Sequence, residues 1–281
     1  MPEQHISISQ IAAFQACRLR RHYAYDRRLE PKRLASPELR VGKAVHVALE
    51  QFHKATLGAR TEELLTINFD QAWGEMRDAH VAGGGDYNEA DWSTSRRSGH
   101  TMLARFWQRF GRDDEMVGLE TEKRFERVFD GGVTEYGHPI SSTIVGIADS
   151  YRPGTIPLFH ELKTSARTGQ DMTRWLFLSQ QHKILAWLAN APTFEVAYTL
   201  LSTSMADRRS ARLYPHVYEQ TEQLLASVVQ GILADREGSQ PPPTEGFQCE
   251  HCDFELICLA RVTGASVEDV IQSKYRDLTR V

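Results

Sequence analysis

The chain has no run of eighteen apolar residues, so no stretch of it has the length and apolarity of a membrane-spanning helix. Its first residues, MPEQHISISQIAAFQACRLRRHYAYD, lack a basic leader and a compact apolar stretch with a cleavage site. They do not read as a signal peptide, and the expectation is a cytoplasmic protein. The phosphate-cradling loop GxxxxGK[ST] is missing, which leaves no P-loop helicase motor in the chain. A strong excess of one charge sign is missing too, with 33 Lys and Arg against 37 Asp and Glu. A net charge of -4 argues neither for nor against a polyanionic partner, because a basic cleft can sit inside a near-neutral protein. Internal repeats are absent, as is low complexity beyond the prolines of QPPPTEGF.

Cysteine is the most informative scarcity. Only Cys17, Cys249, Cys252 and Cys258 occur. In a reducing compartment they do not read as two disulfides. Three of them form CxxCxxxxxC near the C-terminus, and the one remaining thiol lies more than two hundred residues upstream. The expectation is a single metal site that ties the two ends of the chain. Four thiolates suit structural Zn2+ or an iron-sulfur cluster equally, and His251 between them reads as a bystander.

What is present suits a well-packed protein. Apolar residues make up 41% and charged residues 25%, and twelve Phe, nine Tyr and five Trp supply a core. A length of 281 residues fits one large domain or two small ones. The first helix is expected over SISQIAAFQACRLRRHYAYD, capped by Ser9, with Ile11, Phe14 and Leu19 on its apolar side. A second covers SPELRVGKAVHVALEQFHKATLG, with Val45, Leu49 and Phe52 inward, His46 one residue off that side, and Gly58 at its end. Residues 61–110 read as helical around a break at GGGDYNEADWST. The period then shortens: ETEKRFERVFDG, HPISSTIVGIADSYRPG and TIPLFHELKTSA read as three adjacent strands. DMTRWLFLSQQHKILAWLANAP is a helix stopped by Pro192, and FEVAYTLLST is a fourth strand. YEQTEQLLASVVQGILADREG and SVEDVIQSKYRDLT are further helices. The expected fold is α/β, a mixed sheet flanked by helices. One domain spans 1–262, with a helical portion 1–112, a sheet core 118–202 and a helix and cysteine closure 216–262; a helical tail follows over 263–281.

The chemistry is expected on consecutive strands. GIAD ends one at Asp149, and ELK puts Glu161 and Lys163 on the same face of the next, with Leu162 turned to the core. Two carboxylates offer hard oxygen ligands to Mg2+ or Mn2+. Such a site can neutralise charge and activate water for phosphodiester hydrolysis, while Lys163 orients the water or stabilises the transition state.

GKAVH at 42–46, GIAD at 146–149, HELKTS at 160–165 and QHKILAW at 181–187 follow the order GxxxH, GxxD, ExK and QxxxY. In this order the chain resembles the RecB-like branch of the PD-(D/E)XK nuclease superfamily, and its cysteines resemble those of that branch's iron-sulfur subgroup. CRISPR-associated RecB-like exonucleases and the AddB nuclease domain belong to that branch. The resemblance implies a restriction-endonuclease-like fold, with His46, Asp149, Glu161 and the Leu162 backbone carbonyl as ligands of the catalytic ion. It makes Lys163 the catalytic lysine and Gln181 a positioning residue. It implies a 4Fe-4S cluster on Cys17, Cys249, Cys252 and Cys258. Leu185 departs from the pattern, standing where the family has tyrosine, and His182 is expected on another side of the helix. Arg18, Arg20, Arg21, Arg167 and Arg174 are candidate phosphate contacts, and Tyr23 and Tyr25 candidate stacking platforms for bases. The implied activity is a metal-dependent DNA exonuclease on single-stranded or frayed ends, in repair, recombination or phage DNA processing. Its partners would be DNA and a helicase, recombinase or integrase-type protein. The alternatives are a nuclease trimming ends for CRISPR spacer acquisition and a non-catalytic DNA-binding protein.

Overall fold

The computed structural model describes the chain except residues 1–4, 33–36, 83–86, 112–118, 134–138, 166–175, 178, 239 and 281. In chain order the elements are β1 (Ile6–Ser7), α1 (Ile8–Ala16), α2 (Arg18–Arg21), a wide turn of helix (His22–Asp26), β2 (Leu29–Pro31), α3 (Pro37–Lys54), α4 (Glu62–Ala82) and α5 (Glu89–Phe110). Then come β3 (Glu120–Val133), β4 (Pro139–Arg152), β5 (Leu158–Thr164), α6 (Gln180–Leu188), β6 (Phe194–Leu201) and β7 (Ala206–Leu213). The chain finishes with α7 (Pro215–Glu237), α8 (Glu255–Thr263), α9 (Val267–Lys274) and β8 (Tyr275–Asp277). This is the mixed α/β, restriction-endonuclease-like sheet flanked by helices. Packing divides the chain into a larger unit, Ala35–Phe125 with Ile147–Tyr218, and a smaller one, Met1–Leu34 with Glu126–Gly146 and Glu219–Val281.

In the larger unit, α3 carries Val41, Ala44, Val45, Ala48, Leu49 and Phe52 at helical spacing, and all six are buried. They meet Leu65, Phe69 and Trp73 of α4, Met102, Leu103 and Phe106 of α5, and Leu162 and Leu201 of the sheet in one hydrophobic cluster. Close approach of α4 to α5 depends on Gly99, where a Cβ would stand 2.2 Å from the Phe69 ring. Asn88 caps α5, accepting from the Ala90 and Asp91 amides. β5 pairs parallel with β6 from Leu158↔Glu195 to Thr164↔Leu201, and β7 lies antiparallel to β6. Both β5 and β6 are buried along most of their length, as a parallel pair between helices should be. Their neighbour β7, a strand absent from the sequence-based expectations, carries Arg208, Arg209 and Arg212.

In the smaller unit, the first helix is capped by Ser7 rather than Ser9: the Ser7 hydroxyl accepts from the Gln10 amide at 3.2 Å. It breaks at Cys17, whose backbone is extended. β2 pairs antiparallel with β8, Leu29 opposite Asp277. Leu19, Tyr23 and Leu29 pack with Phe254, Ile257, Ile271 and Tyr275 in one apolar cluster. The Phe254 and Tyr275 rings stack at 5.6 Å. Apolar packing and a strand pair therefore join residues from near the two ends of the chain.

That arrangement corrects the four-cysteine closure. All four thiols are free: Cys17 is buried, Cys252 and Cys258 half-buried, and Cys249 exposed. Among the described residues, no three His, Cys, Asp or Glu side chains gather so as to hold a metal ion. The sulfurs have other surroundings. Cys17 Sγ lies 3.4 Å from the Thr244 amide, and Cys17, Cys252 and Cys258 pack against the apolar cluster. Burial pushes the Cys252 and Cys258 thiols up, which favours the protonated form over the thiolate that a metal takes. Neither a 4Fe-4S cluster nor the Zn2+ alternative stands on this geometry.

Candidate active site

The β4–β5 hairpin brings the expected residues together. Antiparallel pairing runs through Ser150↔His160, Tyr151↔Phe159 and Arg152↔Leu158. Beyond that ladder the Asp149 side chain takes over: its Oδ2 accepts from the Leu162 amide at 2.9 Å. Glu161 and Lys163 share a face of β5, and Lys163 Nζ donates to Glu161 Oε1. Gln181, in the first turn of α6, donates to the other oxygen, Glu161 Oε2, at 2.7 Å. His46 of α3 places Nδ1 3.8 Å from Asp149 Oδ2. Leu162 turns into the core, as the alternation of β5 requires. A cavity opens beside this group, lined by His46, Glu50, His53, Glu122, Asp149 and Leu162 among others.

Burial sets the charges. Glu161 is only 3% exposed, and desolvation, followed by the charge on Asp149, pushes its carboxyl up to about 7; Lys163 opposes the shift without cancelling it. Glu122 is raised by burial and then by Asp149. His46 is lowered by burial, with Asp149 acting the other way. Desolvation holds His160 well below the usual imidazole range and takes His182 down to about 3.

Buried neutral histidines fix a pH dependence. Below pH 6.5 the unfolded chain protonates His160 and His182, while in the folded chain both rings resist protonation, His182 down to about 3, so stability falls as pH falls below 6.5. Glu161 has the opposite sign. From about 4.5 to about 7 it is ionised in the unfolded chain and protonated in the folded one, so its contribution is lost as pH rises. Two histidine protons outweigh one carboxyl proton. Urea denaturation should show stability falling on acidification from pH 6.5 to 4.5, shallowly at first and by about 1.4 kcal/mol per pH unit near pH 5, where the unfolded histidines are fully charged. A flat profile, or a rise on acidification, would contradict the neutral burial of these rings.

Several residues of the site were not legible in the chain. His182 was expected on another side of α6, yet its Nε2 lies 3.8 Å from Glu161 Oε2, because the first turn of α6 runs close enough for two successive residues to reach one carboxylate. Tyr198 of β6 stands 3.0 Å from the opposite ring nitrogen. Glu122, at φ +50°, and His53 join only through the fold. Leu185, at the family's tyrosine position, is buried core.

The expected catalytic ion needs correction too. His46, Asp149, Glu161 and the Leu162 carbonyl were to share Mg2+ or Mn2+, but among the described residues no group of His, Cys, Asp or Glu is gathered to hold an ion. The physical reason lies in the hydrogen bonds: Asp149 is engaged by the Leu162 amide, and both Glu161 oxygens by Lys163 and Gln181. The candidate DNA contacts fare unevenly. Arg21 is fully buried, with Nη1 and Nη2 each 2.8 Å from Asp26, and Tyr23 is buried against Phe254 with its hydroxyl accepting from Gln240. Both are structural side chains. Arg18 is tied to Asp235, with Nε 3.1 Å from Oδ2, while Arg20 and Tyr25 are half-buried. Arg167 and Arg174 lie outside the described residues.

A family model described as the PD-(D/E)XK nuclease superfamily matches residues 5–259. The chain belongs to the PD-(D/E)XK nuclease superfamily. Within this superfamily the narrower placement is withdrawn: the match is to the superfamily as a whole and not to a RecB-like or AddB-like branch, and the cysteine grouping of the iron-sulfur subgroup is not formed by the described residues. No curated protein matches the chain. Among solved structures, a protein from Eubacterium rectale named "Putative exonuclease" aligns over 88% of this chain and 86% of its own, at 15% identity and a TM-score of 0.52. That likeness concerns the fold alone. The structure of SSO0001 aligns over 92% of this chain and 88% of its own at 15% identity, but its TM-score of 0.37 adds nothing to the assignment. Among the described residues no helix of this nuclease-superfamily chain is long and apolar enough to cross a membrane.

Proposed function

We propose that the chain hydrolyses phosphodiester bonds in DNA, as an exonuclease on single-stranded or frayed ends. The observation that carries this reading is the hairpin on which Asp149, Glu161 and Lys163 meet, with Gln181 bonded to Glu161 and His46 beside Asp149. Membership of a nuclease superfamily supports hydrolysis, and the fold shared with a protein named as an exonuclease supports action at ends. In the reaction a water oxygen bonds to phosphorus, the bond to the leaving oxygen breaks, and the water proton needs an acceptor. Lys163 brings positive charge to the phosphoryl oxygens. Glu161, with its carboxyl near 7, is an acceptor matched to neutral pH. Asp149 fixes the strand carrying both by bonding the Leu162 amide.

The test is the purified full chain with end-labelled linear single strands, blunt duplexes, frayed duplexes and circular single strands. Reactions run with Mg2+, with Mn2+ and with EDTA read the dependence on a divalent ion. Linear single strands and frayed ends should be shortened fastest and circles spared. Cleavage of circles would overturn the exonuclease reading, and no product from any substrate would leave a DNA-binding protein without catalysis.

A further inference from the structure

His182 is 1% exposed, and its two ring nitrogens face different chemistry. Nδ1 lies 3.0 Å from the Tyr198 hydroxyl and 3.3 Å from Ser179 Oγ. Nε2 is buried with no hydrogen-bond partner, and it points at Glu161 Oε2 from 3.8 Å. The ionised Glu161 carboxylate can only accept, so the proton of the neutral ring belongs on Nε2, and Nδ1 is left to accept from the hydroxyls of Tyr198 and Ser179. The Tyr198 ring packs edge-on against the imidazole at 4.8 Å and holds its plane. An orphaned buried N–H is unfavourable unless another state of the protein uses it.

We propose that His182, oriented by Tyr198, is a positioning residue for Glu161: its Nε2–H replaces Lys163 as a donor to the carboxylate when Lys163 turns to the phosphodiester. In the structure Glu161 is satisfied by Lys163 on one oxygen and Gln181 on the other. Once Lys163 moves to substrate, one donor is lost from a buried carboxylate. A shift of about 1 Å brings Nε2 into hydrogen-bond range of Oε2, the oxygen that also accepts from Gln181, so the carboxylate as a whole keeps two donors. The carboxylate then keeps its place through turnover. Only this last step rests on the nuclease reading; the tautomer does not.

Two measurements on the full chain test it. Long-range 15N–1H NMR of the free protein should show His182 as the Nε2–H tautomer, and Tyr198→Phe should mix the two tautomers. An Nδ1–H ring in the wild type would overturn the proposal. In steady-state DNA cleavage, His182→Leu should lower kcat about 10- to 100-fold with KM within about 2-fold, because the lost bond serves turnover rather than substrate binding. His182→Gln, whose amide N–H reaches the place of Nε2, should recover to within about 3-fold of wild type, whereas His182→Asn should not. Equal losses in the Leu and Gln variants, or a loss carried by KM, would overturn it. A wild type that cleaves nothing refutes the nuclease reading, and the NMR result then decides the hydrogen-bond arrangement alone.

Discussion

Lys163→Ala should lower DNA cleavage by about 100- to 1000-fold, the loss expected when one preorganised charge or donor leaves a reaction centre. Lys163 Nζ is bonded to a carboxylate that is almost fully buried, on a strand whose backbone is fixed by Asp149. The variant should stay folded. Lys163 itself is half-exposed, and its removal leaves Gln181 still donating to a Glu161 carboxyl that is easily protonated. Circular dichroism and urea midpoints like those of wild type, with cleavage gone, are the expected pair of results. Cleavage within about 2-fold of wild type would remove Lys163 from the chemistry.

Arg21→Met should destabilise the protein by about 3 kcal/mol, the lower end of the range for breaking a buried ion pair by removing one partner. Arg21 is fully buried and makes two 2.8 Å bonds to Asp26. Asp26 keeps Arg236, whose Nε is 3.7 Å from Oδ1, and His22, whose Nδ1 is 3.3 Å from Oδ2, so part of the carboxylate's compensation survives and the lower end applies. Guanidinium denaturation is the readout. Unchanged stability together with weakened DNA binding would restore the phosphate-contact role that the basic run Arg18, Arg20 and Arg21 suggests in sequence.

The two variants mark what could and could not be read from the chain. The hairpin chemistry was legible because it is local. GIAD and ELK lie on successive strands, and period two alone puts Glu161 and Lys163 on one face. The stripe of α3 was legible for the same reason, and with it the place of His46 just off that stripe. Residues that reach the site through tertiary packing were not. His182 depends on how near α6 runs to β5, and Tyr198 on the parallel pairing of β5 with β6, neither of which leaves a periodic signal. Composition and spacing misled elsewhere. A run of arginines reads as a solvated face, yet Arg21 points inward to Asp26. The cysteine spacing suggested a metal clamp, but spacing along a chain carries no distance in space. The smaller unit joins residues from near both ends with aromatic packing and the β2–β8 pair instead. β7 was overlooked because its charged residues hide the pairing with β6 that defines it.

The most direct test of the account is a time course of end-labelled single-stranded DNA with the purified wild-type chain beside Lys163→Ala at equal concentration. The account predicts progressive shortening of the DNA by the wild type and intact DNA with the variant. Identical time courses for the two proteins, whether both cleave or neither does, would contradict it.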